Sequence, residues 1–393
     1  MLLGCLLTVF ALSTTVSVSA QKKQISEART IMKTGKNVEK AEQLMTDLLK
    51  DSTNRANKRI YQLWLQSVGK QYEAANERLY LKQKQDTTAF FLLVERMFNI
   101  AQTLDTLDAQ PDKKGRVDPE YRPGNSERLL RNIPNLFNGG NYFLRKGDYQ
   151  QAFRFFEHYI SCTRLPLFSQ CRLDTASQRM AEAAYWATFC GYKLQNPLLT
   201  LRHRHLALAD TAKAKFTLQY MAEARRWLKD DSLYVETLSE GFRRYPADTY
   251  FFPRLMDFHN LHGNYDKALQ VVDRAIQHCD RCELYLYAKA TTLFNLKRYD
   301  ECIELSDSLI ARNDTLPDPY YIAGTAYLNK ALRLDPLKEK KPLRRLYQKA
   351  RPYMERYRQL APNQKEKWGP ALYRIYFNLN LGRQFEEIDR LLR

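Results

Sequence analysis

The sequence predicts an all-α chain, an α-solenoid of stacked antiparallel helix pairs, and three observations carry that prediction. The 393 residues include 14 Gly and 15 Pro, too few for collagen, for low-complexity linkers or for a turn-rich all-β fold. Hydrophobic residues at 44% and aromatics at 12% exceed what a disordered chain carries, so there is material for a large core. One short pattern also recurs: Gly147-Asp148-Tyr149-Gln150-Gln151-Ala152, Gly263-Asn264-Tyr265-Asp266-Lys267-Ala268 and Lys297-Arg298-Tyr299-Asp300-Glu301-Cys302. Gly263 and Lys297 are 34 residues apart, and so are Ala41 and Ala75 in the weaker copies Gly35 to Ala41 and Gln71 to Ala75.

The first stretch, residues 1–20, contains no charged residue. Its apolar run from Leu6 to Leu12 and the Val18-Ser19-Ala20 end before Gln21 read as a secretory signal cleaved after Ala20. Leu2-Leu3-Gly4-Cys5 has the look of a lipobox, but its Cys precedes the apolar run and should follow it. The expectation is an exported chain of the periplasm or cell envelope, soluble, with at most peripheral membrane contact.

Residues 21–107 read as N-terminal helical repeats, with Ile25, Ala28 and Met32 at helical spacing before Gly35. Residues 108–126 are polar and hold Pro111, Pro119 and Pro123, which marks a loop or linker. Residues 127–393 form the main array. In it Cys162 and Cys171 flank a short loop with Pro166 and are the first candidate disulfide of an oxidising compartment. Ala183 to Tyr192 reads as one helix and Leu233 to Tyr245 as another, ending before Pro246.

Further on, Phe252, Leu255, Met256 and His259 precede Gly263; Ala268, Val272 and Ala275 follow it; Leu286, Ala290 and Leu293 precede Lys297. Each such unit is a helical hairpin. Gly or a basic residue ends the first helix, Tyr packs at the turn, and a small residue lets the second helix approach. Neither helix can bury its stripe alone, so the pairs must stack. Leu381 to Arg393 ends the sequence inside a helix with no further cap.

This pattern resembles the tetratricopeptide repeat (TPR) family. Gly324 and Tyr327 after Pro317, Ala350 and Pro362 around the next helix, and Trp368, Leu372 and Ile375 near the end also carry the resemblance. It is good from Phe251 to Arg393, fair over Leu136 to Tyr159 and Ile25 to Leu81, and covers about two thirds of the chain. The repeat at 318–362 is about 14 residues overlong, which implies extended helices with a kink at Pro336 or Pro342.

Catalytic signatures are missing: no Gly-rich phosphate loop, no His-Glu-x-x-His, no Gly-x-Ser-x-Gly. The reading is therefore not an enzyme, with no cofactor and no metal. Cys279-Asp280-Arg281-Cys282 is the most suggestive site: a redox pair, half a zinc site with His259, His262 or His278, or, as the favoured reading, a structural disulfide or inert thiols in an inter-repeat turn. Arg202-His203-Arg204-His205 reads as a solvated helix face.

Binding is the stronger proposition. The resemblance implies that first helices line a concave groove for an extended ligand. In register, Tyr287, Thr291 and Asn295 are matched 34 residues later by Tyr321, Thr325 and Asn329, each trio along one helix face, with Asp257 before and Tyr373 after. Amides that grip backbone beside flat tyrosines suit a protein or peptide, or alternatively a cell-surface or periplasmic glycan.

The net charge of +18 makes nucleic acid the reflex partner, which export excludes. Part of the excess is local: Arg333 to Arg358 holds ten Lys or Arg against three Asp or Glu, and Lys338, Lys340, Lys341, Arg344, Arg345 and Arg351 define a basic surface for an acidic partner or the anionic sugars and phosphates of an envelope.

Overall fold

The computed structural model describes residues 21–393; the expected leader, its cleavage point and Cys5 lie outside the described residues. The described chain is all-α, with no strand, and within each unit most helices pack on the next, giving stacked antiparallel pairs such as α3 with α4, α6 with α7 and α17 with α18. It divides into two compact units between Lys229 and Asp230. The first contains α1 (21–34), α2 (Val38–Leu48), α3 (Lys58–Tyr80), α4 (Thr87–Asp108), α5 (Arg122–Leu130), α6 (Ile133–Arg145), α7 (Tyr149–Ser161), α8 (Gln178–Lys193), α9 (Pro197–Arg202), α10 (Arg204–Ala207) and α11 (Ala214–Trp227). The second contains α12 (Asp231–Arg244), α13 (Phe251–Leu261), α14 (Tyr265–His278), α15 (Glu283–Asn295), α16 (Tyr299–Arg312), α17 (Pro317–Ala331), α18 (Lys340–Leu360), α19 (Lys365–Leu379) and α20 (Gly382–Leu392).

The small position of each hairpin is where second helices meet first ones: Ala41, Ala152, Ala268 and Cys302 are all buried. Ala75 is buried too, but it lies inside the continuous α3, so the weak copy Gln71 to Ala75 marks no turn. One close approach is α6 on α7, where a Cβ on Gly139 would lie 2.5 Å from the Phe155 ring and one on Gly140 2.6 Å from Phe156. Glycine is required there by space, not by backbone angle. Around this contact Phe90, Phe91, Phe143, Phe155 and Phe156 fill the core of the first unit.

Most of the stretch 108–126 is a loop, and it is tied into the fold on both sides. Its start and end belong to α4 and α5, and one continuous core runs on both sides of it, from Leu65 to Ala207. Two buried carboxylates on the last turns of α4 dock the connecting loop. Asp108 accepts from the Tyr121 backbone N–H (2.6 Å) and pairs with Lys58 (3.2 Å), while Asp105 takes both arms of the Arg122 guanidinium (2.7 and 3.1 Å). A polar, Pro-bearing sequence is thus held by charge-assisted hydrogen bonds.

The overlong repeat is also resolved differently from expectation. Pro336 lies in the connection between α17 and α18, and Pro342 sits in the first turn of α18, where a missing N–H costs nothing, so neither kinks a helix. The added length is that connection plus a 21-residue α18, which carries Pro352 inside it.

Between α7 and α12 the chain forms short, irregular helices. The expected helices appear as α8 and α12, with α9 to α11 between them. The Arg202 to His205 run is not a solvated face. His203 is buried and its Nε2 lies 2.5 Å from Glu157 Oε2 on α7, while Arg202 reaches the other oxygen at 3.0 Å. Burial works to raise the Glu157 carboxyl, but the His203 and Arg202 contacts outweigh it and hold it below the usual carboxylate range.

Candidate functional site

In the second unit the first helices α13, α15, α17 and α19 alternate with the second helices, and α15 packs directly on α17. Tyr287, Thr291 and Asn295 fall on one half-buried stripe of α15, and Tyr321, Thr325 and Asn329 on the matching stripe of α17. Thr291 Oγ1 donates to the Tyr287 carbonyl (3.0 Å) and Asn329 Nδ2 to the Thr325 carbonyl (3.0 Å), so one donor of each row is spent on its own helix. The Thr325 hydroxyl is buried and has no partner among the described residues.

The tyrosine ends of the two rows converge. Burial pushes the Tyr287 hydroxyl up, and the neighbouring Asp318 and Tyr321 add to it. Tyr321 packs on Tyr357 of α18 with ring centroids 5.0 Å apart, and Lys367 Nζ from α19 stands 5.7 Å from the Tyr321 ring centre. Asp318 is the residue that sequence reasoning passed over, although it precedes Tyr321 by one helical turn. Tyr357 was hidden because it comes from a second helix.

A further aromatic group lies where α16, α17 and α18 meet: Tyr353 donates to Asp307 (2.6 Å) and packs on Tyr327 and Tyr320.

The flanking candidates lie apart from this cluster. Asp257 is exposed on α13. Tyr373 on α19 packs on Phe385 and lines, with Leu328, Phe377 and Leu392, a hollow of about 770 Å³ that none of the six trio residues lines.

Of the basic surface, Lys338, Lys340, Lys341, Arg344 and Arg345 are exposed along the loop and first turns of α18. Lys338 reaches Asp335 only at 4.0 Å, and the other four have no ion pair among the described residues. Arg351 is different: it is half-buried and pairs with Glu355 at 2.8 Å, one turn along its own helix, so it leaves the ridge.

All six described cysteines are free thiols, Cys162, Cys171, Cys279 and Cys282 among them. Cys162 ends α7 inside the core, where burial pushes its thiol up to about 12, while Cys171 only packs at the edge of that core. Cys279 and Cys282 occupy the turn between α14 and α15, exposed and half-buried, with helices on both sides. The histidines near them in sequence are committed elsewhere: His259 is buried in α13, His262 stacks on Phe258 with centroids 4.1 Å apart, and His278 packs against Phe242. No group of three or more potential ligands gathers among the described residues. No helix among them is long and apolar enough to cross a membrane.

No family model and no curated protein matches the chain. Among solved structures it is similar to the C-terminal part of a TPR repeat-containing protein from Cytophaga hutchinsonii (14% identity, TM-score 0.43, covering 64% of this chain and 92% of that one). It is also similar to human IFIT1, a dimer with m7Gppp-AAAA (14%, TM-score 0.35, 70% and 73%), and to the TPR2AB domain of yeast Sti1 in its pHSP90 complex (15%, TM-score 0.28, 80% and 99%). By its own helix pairs, small-residue contacts and recurrent turns, the chain has a TPR-like fold.

Proposed function

We propose that the chain is an exported, non-catalytic scaffold that holds an extended protein or peptide partner against α15 and α17. The observation that carries this reading is the pair of equivalent rows, Tyr287-Thr291-Asn295 and Tyr321-Thr325-Asn329, on neighbouring helices. Repeated amide and hydroxyl groups at matching heights suit the repeated carbonyls and N–H groups of an extended backbone. The half-buried tyrosines supply flat apolar area at little entropic cost. The exposed lysines and arginines at the start of α18 favour a partner with acidic residues beyond the segment in the groove.

Site-specific photo-crosslinking in intact cells tests this. A photoreactive residue placed at Thr291 should give a discrete adduct, one placed at exposed Glu304 on α16 should not, and Tyr321→Ala with Asn329→Ala should abolish the adduct. Equal adducts from both positions, or an adduct indifferent to the double substitution, would reject the groove.

A further inference from the structure

A cleft of about 510 Å³ opens in the first unit among α1, α3 and α5. Its long wall is a single stripe of α3, where Arg59, Gln62, Gln66, Lys70 and Glu73 recur every three or four residues. Arg29 and Lys33, one turn apart on α1, and Arg128 of α5 close the other sides. Five cations thus meet around one hollow with a single carboxylate, Glu73.

None of the five forms an ion pair among the described residues. Elsewhere the same unit holds cations against acids: Arg96 with Glu42 (2.8 Å), Arg154 with Glu95 (2.7 Å) and Lys213 with Asp210 (3.1 Å). Gathering like charges on concave walls is unfavourable for the chain alone, and the low-dielectric walls focus the resulting field into the hollow. A bound anion relieves that repulsion.

The rest of the lining says which anion. Met32 and Leu63 give the cleft an apolar floor. Gln62 is fixed by accepting from Asn125 Nδ2 (3.1 Å), and Gln66 has no hydrogen-bond partner among the described residues. We infer that this cleft binds an extended acidic peptide segment through its side-chain carboxylates. The Arg59, Arg29 and Arg128 forks match carboxylate geometry, the Gln66 amide matches a peptide group, and the floor takes an aliphatic side chain between the acids. A sulfated or phosphorylated sugar chain would use the charge but has nothing for the floor. This site is separate from the face of α15 and α17 and does not depend on it.

The test uses the full chain and a fluorescein-labelled peptide of alternating Glu and Leu, acetylated and amidated so that only side-chain carboxylates are offered, read by anisotropy. Saturable binding is expected at low salt, falling as salt approaches the physiological range. Arg59→Ala with Lys70→Ala should weaken it roughly 10-fold or more, and so should Arg29→Ala with Arg128→Ala from the other two helices. Lys113→Ala with Lys114→Ala, exposed on the loop between α4 and α5 and outside the cleft lining, should leave it unchanged. Thermal unfolding of the cleft variants should match wild type, because Arg29, Arg59 and Arg128 are exposed and Lys70 is half-buried. Failure to saturate at low salt, or wild-type affinity in both cleft variants, overturns the inference. Dextran sulfate binding that depends on Arg59 while the peptide does not bind would assign the cleft to a polysaccharide instead and overturn the peptide.

Discussion

His259 shows how one residue of the pattern serves packing and leaves a titration behind. It occupies an apolar position of α13, is 5% exposed, and its Nδ1 has no partner among the described residues. Burial, then the nearby Lys267 and His262 charges, hold its imidazole below the ordinary histidine value. The unfolded chain therefore binds a proton at a pH where the folded chain still refuses it. Stability from this group is complete above the unfolded value, near 6.5, and is lost as the pH falls through the lower folded value. Lowering the pH from about 7.5 to about 5.5 should reduce the melting temperature of wild type more than that of His259→Leu, which cannot titrate. Equal reductions in the two proteins would show that His259 contributes nothing to the acid response.

At the scale of the element, the hairpin turn is one device built from different residues. After α13, Gly263 has φ +65°, and the Asn264 N–H reaches back to the His259 carbonyl (2.8 Å). After α15, Lys297 adopts φ +62°, and the Arg298 N–H reaches the Leu293 carbonyl (2.9 Å). The geometry is the same left-handed helix stop, but Lys carries a Cβ there and Gly does not. Replacing Lys297 by Gly relieves about 1 to 2 kcal/mol of backbone strain and adds about 0.4 to 1 kcal/mol of unfolded-state entropy, a net stabilisation of roughly 0.5 to 1 kcal/mol. Denaturant unfolding of Lys297→Gly should show a higher midpoint with an unchanged slope; a lower midpoint would mean the Lys stem packs against something the turn needs.

The same device explains what the sequence made legible. The pairs around Gly147, Gly263 and Lys297 stood out by Gly, Tyr and a small residue. The turns at Lys82, Gln195 and Lys229 use the same positive φ without Gly, so the repeats around them did not announce themselves. Likewise Pro111, Pro119 and Pro123 marked a loop or linker, but the carboxylates that dock it, Asp105 and Asp108, sit on the preceding helix and reveal their role only in three dimensions. The trio on α15 and α17 was legible because its members share one register, whereas Tyr357 and Asp307 reach the aromatic clusters from second helices.

At the scale of the whole molecule, part of the +18 of the composition gathers in two places, the cleft of the first unit and the α18 ridge of the second. The ridge is contiguous in sequence and could be read there. The cleft draws on Arg29, Arg59 and Arg128, about 100 residues from end to end, and only stacking assembles it. Stacking also dictates how damage spreads. In an array of helix pairs each pair is stabilised mainly by its neighbours, so a defect in one core is felt first by the helices that touch it. Leu372 is fully buried between α18, α19 and α20 in a core with Met354, Tyr357 and Ile375. Leu372→Ala removes about 2 to 5 kcal/mol of packing there. Amide hydrogen exchange in α17 to α20 should then accelerate roughly 30-fold or more, the equivalent of about 2 kcal/mol, while α3 to α7 keep wild-type protection. A uniform rise in exchange along the whole chain would instead make the two units one cooperative body, and would predict that a ligand in the cleft of the first unit protects α17 and α18 of the second.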